Sequence, residues 1–141
     1  MKIALGSDHG GFYLKEHIKK YLQNKGYEVK DFGTDKEVSC DYPVYAKLAC
    51  CAVLDGDCDC AMLFCGTGIG VSIAANKIKG IRAALCSDPV SAALAKQHNN
   101  ANCITLGGRI IGPVMAEAIV DAYLTAEFEG GRHKNRIDML E

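Results

Sequence analysis

The chain has 141 residues, about the length of one domain, and a domain of that size buries roughly two thirds of its unfolded surface without a metal or disulfide staple. Its 49% hydrophobic and 23% charged residues are the balance of an ordinary globular protein and exclude wholesale disorder. A formal net charge of -1 excludes the broad basic surface that nucleic acid or an anionic membrane requires, and no apolar run reaches the roughly 18 residues of a membrane span.

Met1 to Leu5 leads straight into strand-like sequence without a signal-peptide pattern, so a cytoplasmic setting is expected. Lys2 to Ser7 reads as a first strand, followed by helical periodicity from Gly11 to Asn24 and a stop at Gly26. Tyr27 to Phe32 reads as a second strand, Tyr42 to Leu54 as a helix and Cys60 to Cys65 as a third strand. After a glycine-rich turn at Gly66 to Gly70, a helix is expected over Val71 to Lys77 and a fourth strand over Ile81 to Cys86. Asp88-Pro89 opens the next helix, to about Gln97, because Asp accepts from free N-terminal amides and proline at N1 has no N–H to waste. Cys103 to Leu106 makes a fifth strand, Pro113 to Thr125 a helix, and residues 129–141 a polar tail.

Strands alternating with helices predict an α/β fold: one Rossmann-like domain over residues 1–141, a three-layer sandwich with a five-stranded parallel sheet flanked by helices. Ligands gather at the carboxyl ends of such strands. Ser7-Asp8-His9-Gly10-Gly11, Cys65-Gly66-Thr67-Gly68-Ile69-Gly70, Ser87-Asp88 and Gly107-Gly108-Arg109 all fall there. His98-Asn99-Asn100-Ala101-Asn102 enters from the opposite end and cannot easily share a pocket with them in one subunit.

Of the eight cysteines, Cys50, Cys51, Cys58, Cys60, Cys86 and Cys103 lie in apolar or helical contexts typical of reduced core residues. No C-x-x-C pair occurs, and Cys58-x-Cys60 is a weak ligand pair, so no metal is expected. Cys65 differs. It precedes backbone amides that open into a helix, where a thiolate is stabilised, although burial as one more core cysteine explains its position equally well. Gly66, Gly68 and Gly70 favour the chemical reading, since glycines let amides approach a substrate oxygen. A dinucleotide fingerprint fails because its third glycine would fall on Val71, and a P-loop fails for want of Gly-Lys-Ser/Thr. Arg132, His133 and Arg136 form a compact basic cluster; the two arginines would share a face if the tail is helical, and a phosphate between them accounts for the cluster as well as a solvated tail or a subunit salt bridge does. His98 alone reads more simply as a helix C-cap, and Asp8 as a helix N-cap.

Together, Gly6-Ser7-Asp8-His9-Gly10-Gly11, Asp41-Tyr42-Pro43, Cys65 to Gly70, Asn76-Lys77, Gly80-Ile81-Arg82-Ala83, His98 to Asn102 and Phe128-Glu129-Gly130-Gly131-Arg132-His133 closely resemble the type B ribose 5-phosphate isomerase family, across essentially the whole chain. The resemblance implies interconversion of ribose 5-phosphate and ribulose 5-phosphate through an enediolate, in the pentose phosphate pathway and without a cofactor. It also makes Cys65 the proton-transfer base and Thr67 with the Gly66, Gly68, Ile69 and Gly70 amides the anion-stabilising loop. His98 then helps open the furanose ring with Asp8 assisting. His9, Arg109, Arg132 and Arg136 contact substrate or phosphate, while Tyr42 and Asn99 line the pocket. A homodimer with shared active sites is implied, with tetramers open, and this would bring His98 to the partner's pocket. Gly10 and Asn100 depart from the alanine and aspartate common in the family. The rival readings are a galactose 6-phosphate or allose 6-phosphate isomerase and a non-catalytic sugar-phosphate sensor; a sensor would need neither Cys65 nor His98.

Overall fold

A computed structural model describes residues 1–141. In chain order the elements are β1 (Lys2–Ser7), α1 (Phe12–Asn24), β2 (Glu28–Asp31), α2 (Tyr42–Leu54), β3 (Cys60–Cys65), α3 (Ile69–Asn76), β4 (Ala83–Leu85), α4 (Pro89–Asn99), β5 (Cys103–Gly107), α5 (Pro113–Thr125) and α6 (Arg132–Ile137). The five strands lie in the order β2-β1-β3-β5-β4, every pair parallel. The expected three-layer α/β sandwich is therefore the one observed. No helix is long and apolar enough to cross a membrane.

Alternation along the strands supplies the two cores. Ile3, Leu5, Met62, Phe64, Ile104 and Leu106 face α1, α4 and α5, while Ala4, Ala61, Leu63, Cys65 and Cys103 face α2 and α3. Each fully buried Leu, Ile or Phe among them contributes about 1.5–3 kcal/mol by leaving water. The second face is lined by small residues, including Ala46, Ala49 and Cys50 of α2, so that helix lies close to the sheet. Strand order reverses between β1 and β3, and the crevice of a parallel sheet opens at the carboxyl ends beside such a reversal.

Several boundaries differ from the sequence-based expectation, each for a local reason. Helix α3 starts at Ile69, ahead of Val71, because Gly68 adopts φ 78 as its N-cap and the Thr67 Oγ1 accepts the Ile69 N–H at 3.2 Å. Helix α4 runs on to Asn99 because Asn100, at φ 43, takes the left-handed terminating position, and its side chain accepts from Lys96 Nζ at 3.0 Å. Strand β4 spans three residues where six were expected. The Arg82 N–H goes to the Asn102 side chain at 2.8 Å, and the Asn76 amide takes both main-chain groups of Ala83, donating at 2.9 Å and accepting at 2.8 Å. The polar tail contains α6, which places Arg132 and Arg136 one turn apart.

Candidate active site

Three loops meet at the carboxyl edge of β1, β3 and β5. Main-chain bonds knit them together: Asp8 N–H to the Phe64 carbonyl at 3.3 Å, Gly108 N–H to the Cys65 carbonyl at 2.8 Å, and Arg109 N–H to the Gly66 carbonyl at 2.9 Å. So close is this packing that a Cβ on Gly11 would sit 2.4 Å from the Phe64 carbonyl carbon. Asp8 is buried here, and its Oδ1 accepts the N–H groups of Gly10 at 2.9 Å and Gly11 at 3.1 Å. It shapes the turn before α1 and leaves its second oxygen free. His9 Nδ1 accepts the Cys40 N–H at 3.2 Å, so the proton of the neutral ring sits on Nε2, available as a donor.

Cys65 ends β3 at 4% exposure, on the floor of this edge. Its sulfur accepts the Gly68 N–H at 3.1 Å, where the positive end of α3 begins. No other cysteine accepts a main-chain N–H; the Cys86 and Cys103 thiols donate to carbonyls instead. Burial pushes the Cys60 thiol up to about 12 and the Cys86 thiol, with Asp88 nearby, to about 11. Around Cys65, Thr105 Oγ1 donates to the Gly68 carbonyl at 2.8 Å and holds the turn. The N–H groups of Gly66, Thr67 and Gly70 find no acceptor within the chain. The Arg109 guanidinium lies over Gly66, and the Tyr42 ring over Gly70. Asp8, His9, Tyr42, Cys65, the 66–70 turn and Arg109 thus come together.

His98, Asn99 and Arg136 do not join them. Helix α4 leaves the carboxyl edge after β4 and runs back, so His98 at its end lies toward the amino edge of the sheet. With His133, Arg136, Ile137 and Leu140, His98 and Asn99 line a separate hollow of about 300 Å³. Arg132 is exposed on α6 and does not line it. The largest cavity, about 700 Å³ beside β4, contains neither Cys65 nor His98.

Sequence reasoning missed Glu129 as a site residue and grouped His133 only with the basic cluster of Arg132 and Arg136, although both sit in the Phe128-Glu129-Gly130-Gly131-Arg132-His133 motif. Their imidazole and carboxylate close on His98: the two rings stack at 4.3 Å and 10°, and Glu129 Oε1 is 3.8 Å from His98 Nε2 and 3.6 Å from His133 Nε2. The three ligand atoms lie within 4.8 Å of one another. Near-parallel rings aim their nitrogens side by side rather than at one point, and Arg136 lines the same hollow. This arrangement suits proton handling better than a cation.

A family described as Ribose/Galactose Isomerase matches residues 3–140. Ribose-5-phosphate isomerase B of Escherichia coli (strain K12) is 50% identical over 139 residues, covering 99% of this chain and 93% of that protein. A ribose 5-phosphate isomerase structure from Thermotoga maritima superposes with TM-score 0.97 at 53% identity, covering 99% of this chain and 96% of that one. Ribose-5-phosphate isomerase B from Mycoplasma genitalium, solved with bound ribulose-5-phosphate, gives TM-score 0.93 at 44% identity, covering 99% and 93% respectively.

Proposed function

The chain belongs to the ribose/galactose isomerase family and is an aldose-ketose isomerase interconverting ribose 5-phosphate and ribulose 5-phosphate, and we propose that Cys65 is the base of that reaction. The observation that carries this reading is the Cys65 sulfur accepting a main-chain N–H at the start of α3, beside three unengaged amides. Once the sugar ring is open, the Cys65 thiolate takes the proton from C2 of the aldehyde. The freed electron pair forms the C1–C2 double bond, and the carbonyl electrons move onto O1. Amides of Gly66, Thr67 and Gly70 meet that developing charge, and one such donor typically contributes about 3–4 kcal/mol to the barrier. The O2 proton passes to O1, the O2 electrons form the C2 carbonyl, and the double-bond pair takes the proton back at C1, giving the ketose. Hydrogen moves within one sugar, so the overall oxidation state is unchanged and no redox cofactor is needed.

Ring opening falls to His98, assisted by Asp8. His9 donates to a substrate oxygen, Tyr42 and Asn99 line the pocket, and Arg109, Arg132 and Arg136 contact the phosphate, with residues 129–141 of the single domain contributing that end of the site. His98, Asn99 and the tail arginines reach Cys65 only from a second copy, so the active unit is a homodimer with two shared sites, which could pair further into a tetramer. Exposed apolar residues support a partner on the outer face of α2 and α3: Val44 and Leu48 one turn apart at 56% and 48%, Ile69 and Ile73 at 51% and 57%. The setting we propose is cytoplasmic.

The test is Cys65→Ala. Turnover of ribose 5-phosphate should fall at least about 10²-fold, the scale of a lost general base, and the C1 hydrogen of ribulose 5-phosphate should stop exchanging with D2O. Parent-like exchange in a variant whose circular dichroism and melting are unchanged would remove Cys65 from the role. A panel of hexose 6-phosphates assayed alongside tests specificity.

A further inference from the structure

Opening a furanose ring is a proton-handling step in its own right. The anomeric hydroxyl loses a proton, the bond from C1 to the ring oxygen breaks with its electron pair going to that oxygen, and the oxygen takes up a proton. The net proton count does not change. A single imidazole can serve either oxygen only if its two nitrogens are distinguished, one holding a proton and the other presenting a lone pair or a proton to the sugar.

We infer that Glu129 is the positioning residue that makes this distinction for His98, an inference that rests on the ring-opening role proposed above for that histidine. Glu129 Oε1 lies on the Nε2 side of His98 at 3.8 Å, which leaves Nδ1 for the sugar. Two further contacts set where that carboxylate lies. Its own main-chain N–H donates to the Gln97 carbonyl at 3.0 Å, fixing the tail loop against the last turn of α4 one residue before His98. On the other side His133, four residues later in the first turn of α6 and only 12% exposed, sets its Nε2 3.6 Å from the same oxygen. Its ring stacks on that of His98 at 4.3 Å and covers one face of it.

Glu129→Gln tests it, because the variant keeps the side chain's size at a half-exposed position and removes only the charge. Ribulose 5-phosphate is the internal control: its C5 oxygen carries the phosphate and cannot close a five-membered ring on C2. Exchange of its C1 hydrogen into D2O reports enolisation alone. For Glu129→Gln we expect kcat/KM on ribose 5-phosphate to fall roughly tenfold or more, a fraction of the full general-acid contribution, while C1 exchange changes less than about twofold. Equal losses in both assays, or no loss in either, overturn the positioning role. His98→Ala run in parallel separates the two levels of the argument. If His98→Ala shows the cyclic-substrate loss and Glu129→Gln does not, the inference fails and the role of His98 stands. If His98→Ala slows both assays alike, the ring-opening role fails and the inference fails with it.

Discussion

Replacing Asp31 with asparagine should cost about 3 kcal/mol of folding stability. Asp31 Oδ2 receives the ammonium groups of Lys15 at 2.8 Å and Lys19 at 3.0 Å, while Oδ1 accepts the Gly33 N–H at 2.9 Å. The Lys15 side chain is only 1% exposed, and it also donates to the Thr34 carbonyl at 2.8 Å. Asparagine keeps the Gly33 bond but turns an amide NH2 toward a buried cation. Stripping a buried charge of its partner costs about 3–5 kcal/mol, and Glu16, which stays 3.0 Å from Lys15, puts this case at the low end. At about 2.1 cal/mol/K per residue, 141 residues give an unfolding entropy near 0.3 kcal/mol/K, so Tm should drop by about 10 °C.

The acid dependence adds a second check. Burial alone would raise the Asp31 carboxyl, but the Lys15 ammonium, the Gly33 N–H and the Lys19 ammonium together hold it below its ordinary 3.8. A lowered carboxylate contributes stability that is complete above the unfolded value and is lost as pH falls through the folded one. Melting curves of parent and Asp31→Asn should therefore lie farthest apart near neutrality and converge on acidification below about pH 4. A Tm within about 2 °C of the parent at neutral pH, or a gap that widens with acid, would refute the reasoning. Adding Lys15→Met to Asp31→Asn should recover much of the loss, because a buried pair replaced as a unit leaves no orphan charge.

Two further substitutions test the site's construction. Gly11→Ala drives a methyl into the Phe64 main chain, which cannot swing aside as a side chain would, so denaturant unfolding should register a loss of about 3 kcal/mol; a midpoint equal to the parent's would mean the β1 and β3 loops are looser than described. If the proposed homodimer forms through the outer face of α2, Leu48→Glu should leave only monomer in sedimentation and abolish turnover while keeping the melting transition cooperative, and an active dimer would put the proposed shared-site interface elsewhere.

Elements set by short-range rules were legible in the sequence. The alternating apolar strands, the Asp88-Pro89 helix start, where Asp88 accepts the Ser91 N–H at 2.7 Å, and the position of Cys65 at a strand end all follow from neighbours a few residues apart. What escaped depends on side chains standing in for backbone at long range. Asn102 bridges to Arg82 and Gly80, and Asn76 to Ala83, so two residues of apparent functional motifs are stitching the sheet. Glu129 escaped for a related reason: its meaning comes from His98, far away in sequence, and from a stacking partner that periodicity does not reveal. The αL turn at Gly68 hid the first residues of α3 inside what read as a glycine loop.

The Asn76 amide that satisfies both main-chain groups of Ala83 reaches beyond local tidiness, because β4 is a border of the sheet. On the far border, β2 offers four residues with Glu28 and Lys30 exposed and charged. Neither margin gives an incoming chain a clean row of donors and acceptors to zip onto. Growth by strand addition is thus discouraged at both rims, which leaves the helical flanks as the surfaces where the proposed pairing of copies can close on itself.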